Sequence, residues 1–305
     1  MPTTAPLVIG AYAALPTALE AQDAFYDGLA GLGATGLEVP DTHLADADGV
    51  RRMTRVLDGR FPDSVVTAIP STMGRQAGSP GEGRASPDEV LRDRALAFVR
   101  DLRRACGTVN DALGSRSISV LLVHSAPTGG ADADAFRASL EALAADADAA
   151  LPSVWVEHCD AASDAVPGEK RFLPLASELR VAAETGTRVT LNWGRSVVET
   201  HDPATPVAHV RAATSAGVLG GIAVSGAGGS ETPYGPSWGD AHLPLDLDEP
   251  TSLLTADRVG EFVAAAAGRE AYRAVKIQVP GDAAVERRLE IIGRLTGIVA
   301  DGEAA

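Results

Sequence analysis

Eight short apolar runs, each followed by a stretch of helical periodicity, constrain this chain more than any other feature. The runs lie at 7–13 (LVIGAYA), 36–40 (GLEVP), 64–71 (SVVTAIPS), 117–125 (SISVLLVHS), 154–160 (VWVEHCD), 188–196 (RVTLNWGRS), 218–226 (VLGGIAVSG) and 274–281 (AVKIQVPG). Each has strand length, is rich in β-branched residues, and is bounded by Gly, Pro or polar clusters. Helices are predicted between them at 21–33, 48–57, 86–113, 131–151, 171–185, 203–216, 256–268 and 283–300. The third opens on Ser86-Pro87-Asp88-Glu89, read as an N-cap, a first-turn proline and acidic first-turn residues. Eight alternations in 305 residues predict an α/β protein, a single (β/α)8 TIM barrel over 1–305. An open doubly wound sheet is the alternative; no Gly-rich phosphate fingerprint follows the first run to support it.

Two connections stand out. Residues 72–85 (TMGRQAGSPGEGRA) are Gly-rich and polar and read as a flexible loop. Residues 226–255 follow the seventh strand and contain PYGPSWGDAHLPL, read as a long active-site loop.

Charge narrows the partners. Against 26 Lys+Arg stand 41 Asp+Glu, a formal charge of −15. Such a chain repels phosphate backbones, so nucleic acid is not expected as a partner, and no basic amphipathic stretch suits an anionic membrane. No apolar run is long enough to span a bilayer. The first basic residue is Arg51, so no secretory signal is read. Cys106 and Cys159 cannot build a disulfide framework, and a cytoplasmic location is expected. Only Lys170 and Lys276 are lysines.

In such a barrel, ligands bind at the carboxyl ends of the strands. The polar residues predicted there are Tyr12, Glu38, His124, Glu157, His158, Asn192, Trp193, Arg195, Lys276 and Gln278, with Trp238, Asp240 and His242 on the seventh loop. Residues alternate between faces along a strand. Glu157 therefore shares a face with Trp155 and Cys159, while His158 shares the other with Val154 and Val156. Lys276 and Gln278 point inward with Glu157, and an ion pair of Lys276 with Glu157 or Glu38 follows, because a lumenal carboxylate needs a partner. Asp240 and His242 form a candidate ligand with its orienting carboxylate. Trp193 and Trp238 are candidates to stack on a sugar ring, and Arg195 to bind an anionic substrate group.

The GLEVP, VWVEHCD, TLNWGRS and VKIQV segments make the whole chain resemble the xylose isomerase-like barrels, the sugar phosphate isomerase/epimerase superfamily. The resemblance implies a divalent metal (Mn, Co, Mg or Zn) held by a Glu, an Asp, a His and a Glu. Glu157 matches the first ligand. Asn192 falls where the Asp is expected, Gln278 where the last Glu is, and Ser225 where the His is, with His242 as its replacement from the loop. Two negative charges are thereby lost, and neutral amide oxygens hold a divalent ion more weakly. The same resemblance implies a homodimer.

The resulting expectation is an isomerase or epimerase acting on a small sugar or polyol derivative by proton abstraction next to a carbonyl. Glu157 would be base or metal ligand, Lys276 would stabilise the enediolate charge, and His242 would assist. Tyr12, Glu38, His124, His158, Asn192, Trp193, Arg195, Trp238 and Asp240 would contact the substrate, and Glu157, Asn192, His242 and Gln278 would hold any metal. Two alternatives remain open at this point: a glycoside hydrolase or lyase using the same barrel face, and a non-catalytic sugar-binding protein on a decayed isomerase scaffold.

Overall fold

A computed structural model describes residues 5–146, 148, 150–163 and 165–301. Its strands are β1 (Leu7–Ile9), β2 (Gly36–Pro40), β3 (Ser64–Thr67), β4 (Ile118–Val123), β5 (Ser153–Glu157), β6 (Val189–Asn192), β7 (Leu219–Val224) and β8 (Tyr272–Val275). They close in sequence order into one barrel, and β8 pairs with β1 in parallel. Ten α-helices are described around it: α1 (Leu19–Gly31), α2 (Ala47–Leu57), α3 (Ile69–Gly78), α4 (Glu89–Leu113), α5 (Ala133–Ala145), α6 (Leu175–Thr185), α7 (Trp193–Thr200), α8 (Thr205–Ser215), α9 (Ala256–Ala266) and α10 (Val285–Asp301). None of the described helices is long and apolar enough to cross a membrane.

Side-chain alternation sorts the apolar residues into two cores. Val8, Val65, Val120, Leu122, Ala223, Tyr272 and Ala274 fill the lumen, with Trp155 packed against them. Leu37, Val39, Val156, Leu191 and Val275 belong to the larger core between barrel and helices. The Tyr272 ring stacks on Trp155 at 6.2 Å, and its hydroxyl bonds Thr190. It crosses the lumen over Gly221, where an added Cβ would come within 2.5 Å of the ring. This aromatic plug closes the lower barrel, so polar chemistry is confined to the upper end.

Several predicted boundaries move. The strands are shorter than the apolar runs, because the chain turns out of the sheet as soon as its polar end residues are placed. The sixth run shows why. Its WGRS portion is helix α7, since the Asn192 side-chain Oδ1 accepts from the Arg195 amide and caps a new helix at the strand end. Asp88, not Ser86, caps α4, accepting from the Leu91 amide. The helix predicted at 131–151 spans Ala133–Ala145; residues 147 and 149 of that stretch lie outside the described residues.

The stretch 72–85 is not an open polar loop. Its first part belongs to α3, and Glu82, Arg84 and Ala85 are buried. Arg84 donates to the His124 carbonyl at 2.9 Å and to the Thr72 hydroxyl at 3.0 Å, and the Ser139 hydroxyl donates to its carbonyl. Glycines and polar residues here serve internal hydrogen bonds instead of solvent.

Candidate active site

The upper ends of the strands bring Glu38, Thr67, His124, Glu157, Asn192, Ser225 and Lys276 inward. Parity decides this: each lies an even number of residues beyond a lumenal neighbour on its own strand. On one side of the mouth, Lys276 donates to Glu38 Oε1 at 2.8 Å, and the Tyr12 hydroxyl reaches the same oxygen at 3.3 Å. Of the two expected pairings, the structure forms Lys276–Glu38. Gly10 makes room for it, since a Cβ there would meet Lys276 Cγ at 2.7 Å. Burial alone would lower the Lys276 pKa, but Glu38, Tyr12 and Glu157 together outweigh it and the pKa is raised. The amine is thus held as an ammonium, unsuited to a Schiff base, which needs it neutral.

On the other side, Glu157 Oε2 accepts from the Thr67 hydroxyl and from His124 Nε2, both at 2.8 Å. Its Oε1 lies 2.6 Å from Arg195 Nη1 as an ion contact. Burial would raise the carboxyl pKa, but the Arg195 and Lys276 charges pull it well below the usual range. Burial lowers the His124 pKa to about 4 despite the Glu157 bond, so that imidazole is neutral. Glu157 is therefore a buried anion, hydrogen-bonded at Oε2 and, at Oε1, in ion contact with Arg195 but without a hydrogen bond. In contrast, Oε2 of Glu38 makes no hydrogen bond among the described residues.

The seventh loop closes the mouth. Gly226 and Leu243 exchange backbone bonds of 2.8 and 2.9 Å, folding the loop back. Asp240 is its anchor, 2.9 Å from Arg195 Nε, 3.1 Å from Lys170 Nζ and 3.1 Å from His242 Nδ1. The Asp240 amide donates to Glu169 at 2.7 Å. Burial would raise the Asp240 pKa, yet Arg195, His242 and Lys170 hold it well below normal. Trp238 and His242 have φ of 56° and 48°, left-handed backbone that costs a non-glycine residue about 1–3 kcal/mol. The loop is thus a held conformation.

Other expected site residues lie elsewhere. Trp193 is wholly buried in the outer core and offers no face to a sugar. Trp238 stacks on His201 at 3.9 Å and 9°. His158 points away from the mouth, as its parity with Val156 required. Its Nδ1 and Nε2 lie 2.7 Å from Glu178 and 2.9 Å from Glu199. Burial would lower its pKa, but the two carboxylates raise it to about 10.

The proposed metal set does not fit a divalent ion at the mouth. Asn192 Oδ1 is committed to the helix cap and to the Ser225 hydroxyl at 2.7 Å. Gln278 Nε2 donates to the Tyr234 and Ala241 carbonyls, stapling the loop. His242 faces Asp240. Two buried cations, Arg195 and Lys276, occupy the space beside the carboxylates and would repel a third.

Sequence reasoning missed Thr67 and Lys170. Thr67 was legible by parity from Val65. Lys170 drew notice only as one of two lysines, and its partner Asp240 lies 70 residues away.

Architecture and site together define a xylose isomerase-like (β/α)8 barrel whose mouth holds paired charges instead of a carboxylate-rich metal set. The chain belongs to the family described as Domain of unknown function (DUF4862), whose model matches residues 8–291. It is 34% identical over 270 residues to an uncharacterised protein of Salmonella typhimurium strain LT2, covering 85% of each chain. Among solved structures it is similar to D-psicose 3-epimerase from Clostridium cellulolyticum H10, with TM-score 0.57 and 13% identity, covering 98% of this chain and 96% of that one. It is also similar to a xylose isomerase domain containing protein from Salmonella typhimurium LT2, with TM-score 0.59 and 11% identity, covering 97% of each. At such identities these structures establish the fold.

Proposed function

We propose that this protein is a sugar isomerase or epimerase that abstracts a proton next to a carbonyl in a small sugar or polyol derivative. The observation that carries the reading is the Lys276–Glu38 pair at the barrel mouth, with one Glu38 oxygen unbonded. In this reading Glu38 is the base. The Lys276 ammonium stabilises the oxyanion formed as the C–H proton leaves, with Arg195 as the second fixed cation. Fixed side-chain cations then supply the positive charge that a metal supplies elsewhere. Glu157 keeps Arg195 and His124 in place, and Tyr12 orients Glu38. Epimerase activity in a structural neighbour of the same fold supports the class.

Access requires the Asp240 segment to swing away from Lys170 and Arg195. The segment then excludes water on return, which strengthens each charge interaction inside. The reading carries with it a cytoplasmic setting, in keeping with two buried free thiols, and a neutral or weakly charged sugar-like partner, in keeping with the acidic chain. A hydrolase fits less well, because its general acid needs a raised carboxyl pKa and Glu157 is shifted the other way.

The test is solvent deuterium wash-in, followed by proton NMR, over a panel of ketoses and sugar acids. Loss of a C–H signal next to the carbonyl is expected for at least one substrate. Glu38→Gln is expected to slow it by about 100-fold or more. Exchange that survives in Glu38→Gln overturns the assignment of the base. Tight sugar binding with no exchange across the panel overturns the enzyme reading in favour of a binding protein.

A further inference from the structure

A second cluster of ligating side chains sits outside the barrel, between β5 and the helices that cover it. His158 follows the last residue of β5 and faces outward. Glu199 comes from the last turn of α7 and His209 from the middle of α8. One ligand atom from each lies within 4.8 Å of the others. His158 is buried, while Glu199 and His209 are partly exposed, so the cluster opens towards solvent on its helix side.

The hydrogen bonds around these residues arrange them as ligands. His158 Nδ1 is held by Glu178 at 2.7 Å, and Glu178 is itself buried and bonded by the Ser125 hydroxyl. That leaves Nε2 aimed at Glu199 Oε2, 2.9 Å away. His209 Nδ1 is engaged by the Ser196 hydroxyl at 3.1 Å, and its Nε2 makes no hydrogen bond among the described residues. The two imidazoles meet edge to face with centroids 5.5 Å apart. The Ala161 amide, 3.2 Å from Glu199 Oε2, fixes the carboxylate.

We propose that His158, Glu199 and His209 form a divalent transition-metal site on the outer wall of the barrel, with Zn²⁺ as the best-matched ion. Two imidazoles and one carboxylate are a three-ligand zinc set, with water as the fourth ligand. With bonds of about 2.0–2.2 Å and tetrahedral angles, ligand atoms lie about 3.3–3.6 Å apart, so separations of up to 4.8 Å close by about an ångström of side-chain movement on binding. Glu178 supplies the carboxylate behind a ligating histidine that orients such rings. The ion takes the place of the proton shared between His158 Nε2 and Glu199, and that proton passes to solvent. It ties β5 to α7 and α8. This site is independent of the mouth, and its existence does not rest on the proposed activity.

The alternative is a purely structural chain of Glu178, His158 and Glu199, which would bind no ion. Chelator-treated full-length protein is titrated calorimetrically with Zn²⁺ alone, and with Co²⁺ alone while its visible absorption is followed. One ion per chain is expected, with the absorption of a low-coordinate nitrogen–oxygen site. His209→Ala, at a partly exposed helix position, is expected to abolish saturable binding with an unchanged circular dichroism spectrum. Glu178→Gln is expected to weaken binding by roughly 10–100-fold. Tyr12→Phe, at the mouth, leaves stoichiometry and affinity unchanged. Absence of saturable binding, binding unaffected by His209→Ala, or binding lost in Tyr12→Phe each overturns the proposal.

Discussion

The two sides of the barrel mouth hold the same pair of charges in different ways. On the β2–β8 side, Glu38 and Lys276 have each other and, beyond that, among the described residues only Tyr12 in hydrogen-bond or ring contact. On the β3–β5 side, Glu157 has Thr67, His124 and Arg195, and Arg195 has Asp240 as well. The first pair is sparse and leaves an oxygen unbonded. The second belongs to a network that continues through Asp240 to Lys170 and the closing loop. A buried anion with a cation against one oxygen and two donors on the other is an anchor. One with a free oxygen beside a fixed ammonium can accept a proton. In the proposed reading the difference gives chemistry to Glu38 and architecture to Glu157, the reverse of what strand position alone suggests.

Breaking the sparse pair should cost the most stability, because among the described residues no second counter-charge is in hydrogen-bonding contact with the stranded charge. Glu38→Leu or Lys276→Met alone is expected to destabilise the fold by about 3–5 kcal/mol. The double variant is expected to recover most of that loss, since an apolar pair strands no charge. Urea unfolding of the four proteins measures the coupling. Additive losses would mean that the two residues do not depend on each other, and the contrast between the two sides would fail.

Glu157→Gln tests the networked side. Its amide still accepts from Thr67 or His124, and Arg195 retains Asp240 at 2.9 Å. The loss is expected at the low end of the same range, about 3 kcal/mol. The urea midpoint reports it. A loss larger than that of Glu38→Leu would mean that the network does not share the charge.

The contrast also marks what could be read from the chain alone. Eight alternations gave the barrel, and strand parity placed Glu38, Glu157 and Lys276 in one lumen. Parity likewise pointed His158 outward, although its position at a strand end had put it among substrate contacts. Helix α7 was hidden because Asn192 serves as both strand end and cap, so VTLN and WGRS read as one run. The buried connection through Arg84 was hidden because its glycines and polar residues look the same in solvent or in a hydrogen-bonded interior. Which cation meets which carboxylate depends on loop closure. Asp240 reaches Arg195 across 45 positions, and nothing local encodes that meeting.

The smallest expected effect separates the sides by pH. The His124 pKa is about 4 in the folded chain, lowered chiefly by burial, against an ordinary 6.5. A depressed folded pKa means that the unfolded chain binds the proton first. The stabilising contribution is therefore complete above pH 6.5 and is lost as pH falls towards 4. His209 shifts in the same direction, to about 4, so His124 carries only part of the slope. Between pH 7 and pH 5 the wild-type chain should lose stability, and His124→Gln should lose roughly 2 kcal/mol less over that interval. The glutamine side-chain NH₂ can still donate to Glu157, so the variant isolates titration from the loss of a bond. Urea midpoints at the two pH values give the comparison. Equal slopes in both proteins would show that His124 does not titrate with unfolding, and that the Glu157 side owes its order to Arg195 and Thr67 alone.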